Sequence, residues 1–165
     1  MNDPVTTDRK ETLERRLITI ASGKGGVGKT WVSVSLAHAL SHAGKKVLLF
    51  DGDLGLANVD IQLGMMPDKD LGQVITKDAA MADIITPFKD TAGAGFDVLP
   101  GKSGSGALGS LSKETLVGMR SDLTRLADNY DHVLLDLAAG IDPSVTTLSK
   151  HKGRVLVVMT ADPTS

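Results

Sequence analysis

The sequence predicts an α/β fold, a mostly parallel β-sheet with helices on both faces. Three observations predict it. Short aliphatic runs without polar alternation, LITIA at 17–21, VLLF at 47–50 and HVLLDL at 132–137, read as strands buried on both sides. Between them lie longer stretches with apolar residues at helical spacing. The glycine-rich stretch that opens at Ser22-Gly23 closes the first run and Asp51 closes the second, the turn chemistry of strand–helix connections.

Composition supports one domain of ordinary size. The chain has 165 residues, 41% of them apolar and only 3% aromatic, so aliphatic side chains must fill the core. Mean hydropathy is +0.03. Eighteen basic against twenty acidic residues leave a net charge of −2, which gives no electrostatic footprint for nucleic acid. There is no cysteine, which excludes disulfides and cysteine-held iron–sulfur or zinc centres within this stretch. No apolar run approaches the roughly 20 residues of a membrane-spanning helix, and the polar start MNDPVTTDRKETLERR has no signal-peptide core. These features fit a cytoplasmic protein.

The elements follow in order. Residues 1–16 read as a polar, solvated lead-in, and 17–165 as the domain. Leu17–Ala21 is the first strand. Trp31, Val32, Val34, Leu36, Ala37, Ala39 and Leu40 give a helix that ends at Gly44. Val47–Phe50 is the second strand and delivers Asp51 to its carboxyl end. Asp70 caps a short helix through Ile75, and Met81–Ile85 forms another helical turn. Phe96–Leu99 is the third strand, closed by Pro100-Gly101, and GKSGSGALGS from Gly101 is a flexible loop. Ser112 caps a helix whose Leu116, Met119, Leu123, Leu126 and Tyr130 face one side. His132–Leu137 is the fourth strand and carries Asp136, and Val155–Met159 is the fifth. In such sheets ligands bind at the carboxyl ends of strands. The loop after Ala21, Asp51, Pro100 and Asp136 all fall there. The fifth strand has no helix after it to cover its apolar face, which predicts that the natural chain continues past Ser165.

The stretch SGKGGVGKT, Ser22–Thr30, carries the densest chemistry. Gly23, Gly28, Lys29 and Thr30 satisfy G-x-x-x-x-G-K-[ST]. Glycines let backbone N–H groups turn inward around a phosphate, and the helix that follows adds the positive end of its dipole. Lys29 is placed to reach the β and γ phosphates, and the Thr30 hydroxyl to ligate Mg2+. The loop pattern does not require Lys24, five positions earlier, which on spacing alone is equally well a solvated lysine.

Other patterns are weaker. DGDLGLANVDIQ resembles a calcium loop but has Leu56 where the sharp turn needs glycine and Gln62 where the bidentate glutamate belongs. His38 and His42 have metal-ligand spacing on one helix. With no third ligand nearby in sequence, they read as solvated or helix-end histidines. Trp31, beside Thr30, reads as packing into the sheet.

With these residues in view, GKGGVGKT resembles the deviant Walker A motif of the MinD/ParA family of P-loop NTPases. DGDLGLANVDIQLG at 51–64 is similar to the family's switch I, closest to its flagellar FlhG (FleN) branch. DLAAGID at 136–142 is similar to switch II with the end of Walker B, and VVMTADPTS to the strand that follows. The resemblance covers about 17–165 and implies a Rossmann-like three-layer fold, incomplete at the C-terminus. It implies ATP as substrate, Mg2+ as cofactor and an ATP-dependent homodimer with slow, dimer-activated hydrolysis. Carried over by residue, Gly23, Lys24, Gly25, Gly26, Val27, Gly28, Lys29 and Thr30 bind the nucleotide. Lys24 reaches the partner subunit's nucleotide, Lys29 serves its own, and Asp53 positions the attacking water. Thr30, Asp51 and Asp136 hold Mg2+, the aspartates largely through water, and Asn58 is a switch I residue of unassigned role. The implied output is spatial regulation of flagellar number or placement, with flagellar C-ring or regulatory proteins as partners. The membrane's inner face would be reached only through a C-terminal segment beyond Ser165. Two alternatives stay open: a chromosome-partition, plasmid-partition or septum-site ATPase of the same family, and a nucleotide-gated binding module with little hydrolysis.

Overall fold

The computed structural model describes residues 4–53, 55–101 and 111–161. The chain runs α1 (Pro4–Glu14), β1 (Leu17–Ala21), α2 (Lys29–His42), β2 (Val47–Gly52), α3 (Val59–Leu63) and α4 (Leu71–Ile75). A 3-10 turn (Met81–Ile84) leads into β3 (Thr86–Lys89) and β4 (Gly95–Leu99). Then come α5 (Lys113–Leu126), a 3-10 turn (Ala127–Asn129), β5 (His132–Leu137), α6 (Pro143–Leu148) and β6 (Arg154–Val157). The six strands lie in the order β3-β4-β2-β5-β1-β6. All pairs are parallel except the β3–β4 hairpin at one edge.

The pleat divides the aliphatic strands between two layers, because successive side chains point to opposite faces. Leu48, Phe50, Val133, Leu135 and Leu137 pack with Leu116, Met119 and Leu123 of α5 and with Val145 and Leu148 of α6. Val47, Leu49 and Leu134 face the other way, against Val34 and Ala37 of α2 and Val59 of α3. By the same alternation Asp51 and Asp136 emerge on the α2 side, at the carboxyl ends of two central strands.

The predicted α/β architecture is observed, with three differences. A sixth strand, β3, pairs antiparallel at the edge; Pro87 sits within it, and an edge strand tolerates proline because one row of its N–H groups has no ladder partner to lose. Residues 4–14, read as a solvated lead-in, form α1. Leu13 of this helix is buried in the α5 layer, and Arg16 just after it donates from Nη1 to the carbonyls of Ala127 and Tyr130 at 2.8 and 2.9 Å. The last strand, expected at 155–159 as a buried element, spans 154–157, and Val155, Leu156 and Val157 are 50%, 40% and 64% exposed. Asp70 caps α4 in a reciprocal box with Gln73, and Ser112 caps α5 through Thr115 N–H, as the sequence predicts. The loop expected at 101–110 lies outside the described residues from 102 onward. Among the described residues no helix is long and apolar enough to cross a membrane.

Candidate functional site

The loop between β1 and α2 is built to receive an anion. Gly26 and Gly28 adopt φ of 78° and 87°, a left-handed conformation that side-chain-bearing residues rarely enter. A Cβ added at Gly23, Gly25, Gly26 or Gly28 meets nothing within 4 Å, so the loop interior is open space. No side chain caps the start of α2. No capping side chain competes for its first N–H groups, and the 14-residue helix directs its positive end at the loop. Ser22, which the motif reading passed over, is buried and braces the loop: its Oγ donates to the Lys24 carbonyl at 3.0 Å, and its own carbonyl accepts Gly140 N–H at 2.9 Å. The second contact ties the loop to the segment after β5.

Strand register supplies the acidic side. Asp136 stands opposite Ile20 of β1 and Asp51 of β2. Lys29 Nζ lies 3.2 Å from Asp136 Oδ1, with both side chains nearly excluded from water. The other oxygen, Asp136 Oδ2, is buried with no hydrogen-bond partner among the described residues. A buried carboxylate oxygen left unpaired is costly, and a cation is the ligand that such an oxygen accepts best.

Asp51 is handled differently. Its Oδ2 accepts N–H groups of Asn58 at 2.9 Å and Val59 at 3.0 Å, and its Oδ1 that of Asp53 at 3.3 Å. Burial nevertheless pushes its carboxyl up to about 7. The hydrogen bond from Val59 opposes the rise, the Asp136 charge adds to it, and the N–H groups of Asp53 and Asn58 oppose it further. With its lone pairs largely engaged, Asp51 suits contact with a metal through water better than direct ligation. Thr30, in the first turn of α2, stands with Lys29 at the loop's exit. The chemistry of this end of the sheet fits a hard divalent cation, with Asp136 Oδ2 as the open oxygen and Asp51 in register beside it.

The remaining predicted residues follow β1 and β2 in the chain. Lys24 is exposed. Asp53 is partly buried, and its Oδ1 accepts N–H groups of Gly55 at 3.3 Å and Leu56 at 3.1 Å, folding the carboxylate onto its own loop. Asn58 contributes its backbone N–H to Asp51, not a capping side chain. Trp31 is 66% exposed and does not pack into the sheet; Leu56 and Ile141 are also exposed, at 76% and 87%.

Gly101 is a site residue that motif reading missed. A Cβ there would stand 2.6 Å from Ala57 Cβ, 2.9 Å from the Asp51 carbonyl oxygen and 3.1 Å from Asp51 Cγ. Gly101→Ala is expected to destabilise the chain by roughly 1–3 kcal/mol, the range for overpacking. A lowered denaturant midpoint with an unchanged slope checks this; an unchanged midpoint would mean that the strand end yields freely.

Glycine loop, uncapped helix start, a part-buried lysine on Asp136 and two strand-end aspartates in register define a phosphate-binding domain of the P-loop class. Comparison with known proteins narrows the class. Residues 18–159 match the family described as the CobQ/CobB/MinD/ParA nucleotide binding domain. The antiactivator FleN of Pseudomonas aeruginosa is 39% identical over 150 residues, covering 91% of this chain and 52% of FleN. The flagellum site-determining protein YlxH of Helicobacter pylori is 32% identical, covering 91% of this chain and 50% of YlxH. The septum site-determining protein MinD of Pyrococcus horikoshii, solved in complex with Mg-ADP, superposes with a TM-score of 0.73 at 32% identity, over 87% of this chain and 57% of that one. The chain belongs to the CobQ/CobB/MinD/ParA family, within its MinD/ParA branch. It spans about half the length of the curated relatives it matches.

Proposed function

We propose that this chain binds Mg2+-ATP at the β1–α2 loop, dimerises on it and hydrolyses it slowly, acting as a spatial regulator of flagellar number or placement. The observation that carries the reading is the Lys29–Asp136 pair with its unpartnered Asp136 Oδ2, set at the exit of a phosphate-shaped glycine loop. Mg2+ supplies charge neutralisation on the phosphoryl oxygens. The protein's part is positioning and electrostatics, the main requirements of phosphoryl transfer. Lys29 exchanges Asp136 for phosphate oxygens. Asp53 leaves its turn with Gly55 and Leu56 to orient the attacking water. Lys24, which is exposed, reaches across a subunit interface to a neighbour's phosphates, and exposed Leu56 and Ile141 supply apolar area beside it. The flagellar output rests on the likeness to FleN and YlxH.

Lys24→Ala tests the division of labour between the two lysines. ATP affinity is expected to stay within about threefold of the parent, while turnover at saturating protein falls by at least 100-fold, about 2.7 kcal/mol in the barrier. Equilibrium binding of a fluorescent ATP analogue and phosphate release measure the two quantities. Unchanged turnover would assign Lys24 to the solvated class. Tight binding with no turnover in the parent itself would favour a nucleotide-gated binding module.

A further inference from the structure

His38 and His42 stand one turn apart on the same side of α2. Sequence alone offers them no third ligand, but the fold does. The β3–β4 turn brings up Asp90, whose Oδ2 lies 2.8 Å from His42 Nε2 and 3.8 Å from His38 Nδ1. The three ligating atoms fall within 4.8 Å of one another.

Each member is held by its surroundings. Asp90 Oδ1 accepts N–H groups of Ala92 at 2.9 Å and Ala94 at 3.0 Å, which fixes the carboxylate and turns Oδ2 toward the histidines. The His38 ring is set edge-on against Phe88 and Phe96, with centroids 5.5 and 5.1 Å away. The His42 side chain is 52% exposed, which gives an ion a way in and leaves room for water ligands.

We propose that His38, His42 and Asp90 form a binding site for a first-row transition-metal dication, with Zn2+ as its ligand. Two imidazoles and one carboxylate suit zinc better than Mg2+ or Ca2+, which prefer oxygen shells. A tetrahedral shell with bonds near 2.05 Å separates its ligand atoms by about 3.3 Å. The two Asp90 separations of 2.8 and 3.8 Å bracket that value and all three atoms lie within 4.8 Å of one another, so side-chain rotations bring the ligands to it. Backbone N–H donors to Asp90 supply the outer-shell support that metal-binding carboxylates use. The bound ion fastens the C-terminal half of α2 to the edge hairpin. His38 is nine residues from Lys29, about 14 Å along the helix, so this site is separate from the phosphate loop.

The test is a Zn2+ titration of the whole chain, carrying no polyhistidine tag, against a chromophoric chelator. One equivalent per chain is expected, with a rise in melting temperature. Co2+ in its place should give the visible d–d bands of a low-coordinate nitrogen–oxygen site. His42→Ala and Asp90→Asn should each weaken Zn2+ binding at least about tenfold. Metal-free melts of both variants report whether they fold; the His42 change falls on an exposed ring. A large excess of Mg2+ should leave the Zn2+ in place. Absence of Zn2+ binding, binding that either folded variant retains in full, or displacement by Mg2+ would each overturn the proposal.

Discussion

Replacing Lys29 by methionine is expected to weaken Mg2+-ATP binding at least about 100-fold and to abolish turnover. The lysine side chain is only 9% exposed and is paired with Asp136, so its ammonium has been placed at the loop by the fold before any nucleotide arrives. Hydrogen bonds to charged groups contribute about 1.5–3 kcal/mol each. Two of them, to the β and γ phosphates, amount to at least about 3 kcal/mol, more than two decades in affinity. Methionine keeps the length and apolar stem, so the loss reads the charge. The variant also leaves the Asp136 carboxylate without this partner, and a lower apo melting temperature should accompany the lost affinity. Titration calorimetry with circular dichroism checks both. A folded Lys29→Met protein with ATP affinity within threefold of the parent would remove Lys29 from the site.

The second large effect is on pH dependence. In the metal-free chain the Asp51 carboxyl is expected to titrate near 7, well above the usual carboxylate range. The sign follows from linkage. Below about pH 4 the folded and unfolded chains are both protonated at Asp51, and the group has no effect on the slope. Between about 4 and 7 the unfolded chain releases the proton while the folded chain keeps it, so stability falls as pH rises. Above 7 both are ionised and the slope vanishes. A shift of about three units corresponds to roughly 4 kcal/mol at most. His132 and His151 act in the opposite direction: burial lowers both, so they remove stability as pH falls below about 6.5. A global melt therefore mixes the contributions, and the carbon-13 shift of the Asp51 carboxyl isolates the one in question. Added Mg2+-nucleotide should pull its midpoint down, because a nearby dication favours the ionised form. A metal-free midpoint near 4 would contradict the buried, charge-coupled environment described for Asp51. Asp51→Asn is a poor substitute for this measurement, since the amide cannot accept all three N–H groups that now converge on the carboxylate.

What was legible in the sequence was local. The glycine loop, its lysines and the strand-end aspartates depend on spacing over a few residues, and the buried strands on unbroken aliphatic runs. The meeting of Asp51 and Asp136 follows from the rule that parallel strands present their carboxyl ends together, and the register confirms it. What escaped depends on long-range packing. β3 is four residues with a central proline, and only its pairing with β4 makes it a strand. Asp90 is 48 residues from His42 and becomes its neighbour only through that hairpin. Gly101 matters because it abuts Asp51 from another strand end, a contact that no periodicity records. The helix at 4–14 is polar in most positions, and its one buried anchor among described side chains, Leu13, gives too little pattern to read.

In the proposed function the loop SGKGGVGKT serves two subunits, Lys29 its own nucleotide and Lys24 the neighbour's. The most direct measurement is ATP turnover per chain as a function of protein concentration, at saturating Mg2+-ATP. The account predicts that turnover per chain rises with concentration and levels off as dimers fill, and that the Lys24→Ala chain stays flat at the basal rate. Turnover per chain that is constant across the whole range in the parent protein would contradict it.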